Sequence, residues 1–389
     1  MKICILTPRF PLPECGGDLL RINNIARYLK SQGHQLVLVS YNEGAPDIEA
    51  AKELYDKIYT VKRNKIASAI YSALFMLTGR PIQCGYYYSS AFNKLFQKVV
   101  KTENPDLYIS HLLRMVPFLE NAKLQSKSIV EMTDALSKTY TLTGKAKGSQ
   151  LKRFMYSLEK HMIGRYELGV IRRYPKVVLV SASDISFLSA QLKPAESKSL
   201  ALHTNGVNHV SEISTTYDPN KICFLGNMVS LQNQDAALYF SKEIFPKILK
   251  SKPDARFYIL GNNPPKNITN LHNGKNIIVT GFISEMEQFL ADACMMVAPI
   301  RIAAGIQNKV LVSLANGIPT ILTPLIAVPI PQLVDGENCF VAGDDTTFAN
   351  RCIQLMDDST LRNSMGRKGY EMVKAHYSWN MQLNGYETM

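Results

Sequence analysis

Residues able to hold an anion are concentrated in one stretch, Arg301 to Gly317, which reads RIAAGIQNKVLVSLANG. An apolar run ends at Pro299, a small-residue loop follows, and a helix is predicted to begin near Gln307 or Asn308. Val310, Leu311, Leu314 and Ala315 give that helix its buried face. Arg301 and Lys309 bracket the helix start, with Gly305, Ile306, Gln307 and Asn308 between them. Two cations and the backbone N–H groups of a helix N-terminus are therefore expected to converge, which in physical terms is a diphosphate site. The alternative for Lys309 is a solvated residue in the first turn.

Three further places carry candidate chemistry. Gly16-Gly17 follows the first apolar run and opens a helix, where glycines let backbone N–H groups approach an anion. A plain loop is the competing reading, because the full dinucleotide fingerprint is missing. His111 follows the run Leu107–Ser110, at a strand end where α/β domains place ligand-facing side chains. Its imidazole suits a sugar hydroxyl as donor or acceptor, or it caps the helix that follows. Asp134, in Glu131-Met132-Thr133-Asp134-Ala135-Leu136-Ser137, stands in the same position, as a site carboxylate or as a helix N-cap.

These residues need strands to hold them. Ile3–Leu6 is a short apolar run; Leu19, Leu20, Ile22, Ile25, Ala26 and Leu29 recur at helical spacing up to Gly33; His34–Ser40 is the next buried strand. Strand, helix and strand within about forty residues imply a parallel sheet flanked by helices. Asp106–Ser110, Ser128–Met132 and Val177–Ser181 continue the pattern. It breaks around Thr204-Asn205-Gly206-Val207 and restarts with Lys221–Gly226, a helical stretch from Asp235 to Leu249, Phe257–Gly261, Ile277–Val279, Met295–Pro299 and Ile318–Leu322. Two doubly wound α/β domains of similar size, with a cleft between them, are the economical expectation.

Composition narrows the function classes. The chain has 389 residues, 46% apolar and 20% charged, an ordinary globular balance. Lys plus Arg is 44 against 32 acidic residues, a formal charge of +12. Residues 1–205 hold 29 basic and 16 acidic residues, and residues 206–389 hold 15 and 16, so the surplus belongs to the first half. No nucleic-acid-binding module is recognisable, and nucleic acid is not expected as a partner. Seven scattered cysteines, never spaced C-x-x-C, argue against a disulfide framework and a thiolate zinc site, and for reduced thiols in a cytoplasmic protein. The opening apolar run is too short for a secretory signal.

The uncharged stretch 66–79 is short of the ~20 residues a membrane span needs, and Val310–Val334 contains four prolines. With Tyr86-Tyr87-Tyr88 and the flanking Lys62, Arg63, Lys65 and Arg80, segment 66–79 reads either as a surface that meets lipid or as an ordinary helix of its domain.

Taken in order, these motifs resemble the GT-B glycosyltransferases of family 4, in particular sugar transferases of bacterial exopolysaccharide loci. The resemblance runs through Gly16-Gly17, Asp134-Ala135-Leu136-Ser137, Asn205-Gly206-Val207, Phe224-Leu225-Gly226-Asn227-Met228 and Thr280-Gly281-Phe282. It continues through Gly305–Leu311, Ala315–Pro319, Ile330–Asn338 and His376-Tyr377-Ser378-Trp379. It implies a GT-B fold of two Rossmann-like domains: an acceptor-binding domain at 1–205, a nucleotide-sugar-binding domain at 206–370, and a terminal helix at 371–389 crossing back to the first.

The resemblance further implies a nucleotide-diphosphate sugar donor, UDP-sugar first and GDP-sugar next, with no metal. Transfer would retain configuration, to a lipid-linked or glycan acceptor. The donor would be held by Gly16, Gly17, Asn227, Phe282, Arg301 and the run Gly305 to Lys309, with His111 catalytic and Asp134 on the acceptor side. The chain would work in the cytoplasm, in peripheral contact with the anionic inner face of the plasma membrane through its basic first half. Two glutamates typical of the family read here as Ala304 and Val312, and the Arg and Lys that usually follow the second domain's first strand are replaced by Gly226–Ser230 and Asn233. Those departures keep open a second expectation, a non-catalytic GT-B subunit that binds acceptor or a partner enzyme.

Overall fold

A computed structural model of the chain describes residues 1–14, 17–43, 46–143, 150–283, 285–302 and 306–389, with the side chains of 142–143 and 150–156 also left aside. Gly16, Ala304 and Gly305 therefore lie outside the described residues. The chain divides into two units, Met1–Thr204 with Leu383–Met389, and Asn205–Gln382.

The first unit is built on a seven-stranded parallel sheet. Its strands are β1 (Lys2–Thr7), β2 (Gln35–Tyr41), β3 (Lys57–Val61), β4 (Leu107–His111), β5 (Ser128–Thr133), β6 (Lys176–Leu179) and β7 (Leu200–Leu202), in the order β3-β2-β1-β4-β5-β6-β7. The second unit repeats the scheme with β8 (Asp218–Leu225), β9 (Arg256–Leu260), β10 (Ile277–Gly281), β11 (Ala293–Ala298), β12 (Thr320–Leu322) and β13 (Phe340–Val341), ordered β10-β9-β8-β11-β12-β13. Helices connect successive parallel strands and cover both sheet faces, which is why β1, β6 and β11 are apolar and buried along their whole inner length. Both units are thus Rossmann-like. In each, the strand order reverses beside the first strand, at β1/β4 and at β8/β11, which opens a crevice at the carboxyl edge of the sheet.

One buried polar network holds the first unit. Arg21, on the core face of the helix Gly17–Ser31, makes a two-armed ion pair with Glu131 in the middle of β5, Nε to Oε1 at 3.0 Å and Nη2 to Oε2 at 2.9 Å. The two side chains are 1% and 0% exposed. Nη2 of Arg21 also donates to the His203 carbonyl, and the Tyr386 hydroxyl and Thr133 hydroxyl donate to the Glu131 carboxylate. Every oxygen of the buried carboxylate is therefore met, the condition under which such a pair is tolerated in an apolar interior.

The return to the first unit comes later than residue 371 and is not made by a helix. Ser359–His376 is one helix and lies wholly in the second unit. It packs on Asn308–Ala315 and the turn that follows it at two glycines: a Cβ on Gly366 would sit 2.1 Å from the Gly317 carbonyl oxygen, and one on Gly369 would sit 2.7 Å from the Leu314 side chain. The short helix Trp379–Gln382 also stays with the second unit, and only Leu383–Met389 joins the first. There the buried Lys176 ammonium gathers the carbonyls of Gly385, Tyr386 and Thr388 at 2.8, 2.9 and 3.0 Å, while the Leu383 and Tyr386 side chains are fully buried.

Breaking the network from one side leaves an uncompensated buried charge. Glu131→Ala should therefore lower stability by about 3–5 kcal/mol. Tyr386→Phe, which removes one hydrogen bond to a charged acceptor, should cost about 1.5–3 kcal/mol. Urea unfolding of the full chain measures both, and equal losses would show that the tyrosine rather than the ion pair dominates.

Candidate functional site

In the second unit the candidate residues lie where parallel strands end. Asn227 follows β8, Phe282 follows β10, Arg301 follows β11, and Lys309 is in the first turn of the helix Asn308–Ala315. Two glycines let the chain close tightly here. Gly261 has φ +150°, and a Cβ on it would lie 1.7 Å from the Gly226 carbonyl oxygen. A Cβ on Gly226 would in turn lie 2.8 Å from Cγ of Asn233. Asn233, in the helix Leu231–Tyr239, is thereby packed down on the strand end, and its Nδ2 donates to the Asn227 carbonyl at 2.8 Å.

That bond leaves Oδ1 of Asn233 as the acceptor for the Lys309 ammonium. Lys309 lies over the Phe224 ring at 5.2 Å and has no carboxylate partner among the described residues. Burial alone lowers its pKa, to about 8, so among the described residues this positive charge is held by a neutral amide and an aromatic face. The adjoining helix N-terminus adds to it: Gln307, extended at φ −95° and ψ 105°, supplies no side-chain cap. Ile306 is half-buried against the core, Gln307 is buried, and Asn308 is exposed. Asn227 closes a tight turn through Oδ1 to the Val229 N–H, and the Phe282 ring is 73% exposed beside the Gly281 turn.

Arg301 departs from expectation. Its guanidinium is bound to the Asp235 carboxylate, at 3.1 and 2.7 Å, and lies 4.2 Å from the Tyr239 ring centroid. Lys309 and Arg301 thus fasten to Asn233 and Asp235, two residues apart on one helix and therefore on different faces of it. The two cations do not converge, and Arg301 is already neutralised. Spacing along the chain could not show this, because the partner carboxylate comes from a helix 66 residues away.

In the first unit, Gly17 begins the first helix and Asp18 in its first turn is paired with Arg9. His111 ends β4 fully buried, and neither ring nitrogen has a hydrogen-bond partner among the described residues. It caps nothing: the helical turn Leu113–Met115 that follows has no side-chain cap. Burial outweighs the nearby Glu131 and Asp18 carboxylates and pushes its pKa down to about 4, so the imidazole is neutral at physiological pH. A neutral ring with one donor and one acceptor unmet in the interior costs about 1–3 kcal/mol per group, which a hydroxyl-bearing ligand would recover. The backbone around it is strained, with Leu112 at φ +69° and Thr133 at φ +67° on adjacent strand ends.

Asp134 is exposed and is not the cap of the helix Leu136–Thr143. The N–H of Ala135 goes to Asp184 at 3.2 Å, and Glu167 accepts from the N–H and the hydroxyl of Ser137. Burial raises the pKa of Glu167 to about 7. Arg21, Glu131 and Glu167 are residues of the candidate region that sequence reasoning did not single out, and Asn233, noted there only as a replacement for a family cation, is the residue that meets Lys309. Glu131 carried a signal, a lone carboxylate inside the apolar run Ser-Ile-Val-Glu-Met-Thr. Among the described residues no three His, Cys, Asp or Glu side chains gather as metal ligands.

A lysine whose folded pKa is depressed is less protonated in the native state than in the unfolded one. Stability should therefore rise as pH climbs from about 8 towards the ordinary lysine value, and Lys309→Met should abolish that rise. Inorganic pyrophosphate should stabilise the wild type below pH 8, progressively less above it, and Lys309→Met not at all. Thermal melts across pH measure all three.

Residues 219–358 match the family model of the Glycosyl transferases group 1. A protein of 44.6 kDa from the cps region of Klebsiella pneumoniae, described as uncharacterized, is 21% identical over 393 residues, covering 97% of this chain and 96% of that protein. Among solved structures, Anabaena Alr3699/HepE in complex with UDP and glucose superposes with a TM-score of 0.63 at 14% identity, covering 100% of both chains. A mutant of S. aureus TarM in complex with Fondaparinux, alpha-GlcNAc-glycerol and UDP superposes with a TM-score of 0.64 at 12% identity, covering 99% of this chain and 98% of that one. The chain has the GT-B fold of two Rossmann-like domains, and its second unit is similar over residues 219–358 to the group 1 glycosyl transferases.

Proposed function

We propose that this protein is a retaining, metal-independent glycosyltransferase that moves a hexosyl group from a nucleoside-diphosphate sugar to a lipid-linked or glycan acceptor, working in the cytoplasm. The observation that carries the reading is Lys309, a largely buried ammonium without a carboxylate partner among the described residues, in the first turn of the helix Asn308–Ala315. Departure of a nucleoside diphosphate develops negative charge on its terminal phosphate, and a preorganised cation with backbone N–H donors stabilises that charge where water is excluded. Lys309 and the N–H groups of Asn308 and Lys309 take this role; Arg301, bound to Asp235, does not. The exposed Phe282 ring and the Asn227 turn lie on the same strand-end edge and suit a base and ribose. The relatives solved with UDP make a UDP-sugar the first donor to try and a GDP-sugar the next.

His111 is assigned to the reacting sugar. Its neutral imidazole can donate to one hydroxyl and accept from another, and in the free protein it has neither partner among the described residues. Asp134, exposed at the end of β5, is assigned to the acceptor side.

Val312 favours a second reading. It stands where a family glutamate would meet the nucleotide ribose, and it is half-buried against the core of the second unit, offering no acceptor. On that reading the chain is a non-catalytic subunit that binds acceptor or a partner enzyme.

Isothermal titration with UDP-, GDP-, ADP- and dTDP-sugars separates the two. Heat with at least one donor is expected; silence across the panel overturns the enzyme in favour of the subunit. Lys309→Met should weaken the responding donor about tenfold to a hundredfold, the loss of one charge-assisted hydrogen bond. Val312→Glu should tighten it by about tenfold, and His111→Ala should lower turnover about tenfold or more while leaving donor affinity near wild type.

A further inference from the structure

The helix Lys65–Leu77 of the first unit has its polarity reversed. Its inward face carries Ser68 and Phe75, both buried, with Tyr71 and Ser72 half-buried. Its outward face carries Ile66, Ile70, Leu74 and Leu77, which are 74%, 56%, 48% and 78% exposed, and the exposed residues between them are Ala69, Ala73 and Met76. A surface helix of a soluble domain turns its apolar stripe inward, so this arrangement needs a partner for the outer face.

The orientation is fixed from the inside. The helix crosses the following one, Ile82–Tyr87, so closely that a Cβ on Gly85 would lie 2.5 Å from the Tyr71 carbonyl oxygen. The Tyr71 and Ser90 hydroxyls are hydrogen-bonded at 3.0 Å, and Tyr71 and Phe75 pack against Tyr88. Turning Ile66 and Ile70 inward would break these contacts.

The surrounding charge is one-sided. Residues 57–102 contain no Asp or Glu and eight Lys or Arg. Three of these cations are committed: Lys57 to Glu103, Arg63 to Glu43 and Arg80 to Glu120. Lys62 and Lys65, at the start of the apolar stripe, are exposed and form no ion pair among the described residues; Lys94, Lys98 and Lys101 are likewise exposed on the helix Ser90–Glu103. An open cavity of about 430 Å³ begins at the far end of the stripe, lined by Met76, Gly79, Leu158, Met162, His161 and Arg165.

We infer that the outer face of Lys65–Leu77 docks on an anionic lipid bilayer, lying in the interface with its apolar stripe among the acyl chains and Lys62 and Lys65 at the headgroups. Thirteen residues of helix are about 20 Å long, which suits a helix lying in the interface and is too short to span. Charge decides between lipid and a second copy of the chain. Two copies meeting through this face would bring two acid-free, basic segments together, whereas an anionic leaflet supplies the opposite charge. The inference does not rest on glycosyl transfer, and its variants lie in the other unit from the donor residues.

Co-sedimentation of the full chain with phosphatidylglycerol-containing vesicles, and with phosphatidylcholine vesicles alone, tests it at low and high salt. Binding is expected to the anionic vesicles, weakening with salt. Leu74→Asp should reduce it about tenfold or more, and the double change of Lys62→Glu with Lys65→Glu should remove its salt dependence. Ile70→Gln provides a milder variant with the same expected direction, and unchanged melting temperatures show that both remain folded. Wild-type protein that stays in the supernatant, or Leu74→Asp that binds as the wild type does, overturns the inference. So does wild-type self-association in sedimentation velocity that Leu74→Asp abolishes, because the face would then belong to a second copy. Donor titration with Leu74→Asp should match the wild type, so a failure here and a failure of the enzyme reading are separately visible.

Discussion

The first unit is organised around a charge pair that it cannot release. Arg21 and Glu131 are both sealed from water, and the attraction between them offsets their desolvation only because neighbours fill their remaining hydrogen bonds. Those neighbours come from distant parts of the chain: Thr133 at the end of β5, the His203 carbonyl before the chain leaves the unit, and Tyr386 in the tail Leu383–Met389 that rejoins it. The pair therefore fixes the first helix against β5 and, with Lys176, pulls the final residues into the same interior. His111 is in the field of this pair, which is why a histidine beside two carboxylates still stays neutral: burial dominates and the guanidinium of Arg21 cancels part of the anionic pull.

The second unit treats its buried cation in the opposite way. Where the first unit neutralises its buried cation, the second leaves Lys309 with an asparagine carbonyl and a phenylalanine ring, and spends Asp235 on Arg301 instead. A charge kept this way is destabilising in the free protein, because no carboxylate among the described residues offsets its desolvation. The glycine pair 226 and 261 makes the arrangement possible, since a side chain at Gly226 would push Asn233 away from the strand end and one at Gly261 would strike the Gly226 carbonyl. The same parallel-sheet scaffold thus supplies a sealed crevice edge in one half and a charged one in the other.

The apolar helix Lys65–Leu77 adds a third environment, with basic groups gathered on a segment that contains no acid. Its direction is set by small residues and tyrosines on the inner side, not by the apolar stripe itself. That inversion separates it from the rest of the domain, in which apolar residues at helical spacing face the sheet, as Leu19, Ile22, Ile25 and Leu29 do.

The doubly wound plan was legible in the residues themselves. Parallel strands buried on both faces must be short apolar runs, and the runs at Ile3, Leu36, Leu107, Val177, Phe257 and Met295 announce them; the short edge strands β3, β7 and β13 carry too little pattern to be seen. The helix start at Asn308 was legible too, because the hydrophobic period of Asn308–Ala315 is a local property. Partnership was not. Whether Arg301 is free, whether His111 caps a helix, and where the chain returns to the first unit depend on side chains tens to hundreds of residues away. The sequence alone determined which segments are strands and where strand ends carry reactive groups, because hydrophobic period is set by neighbours in the chain. Only the tertiary structure decided which charges are neutralised, since an ion pair depends on distance in space and on access to water.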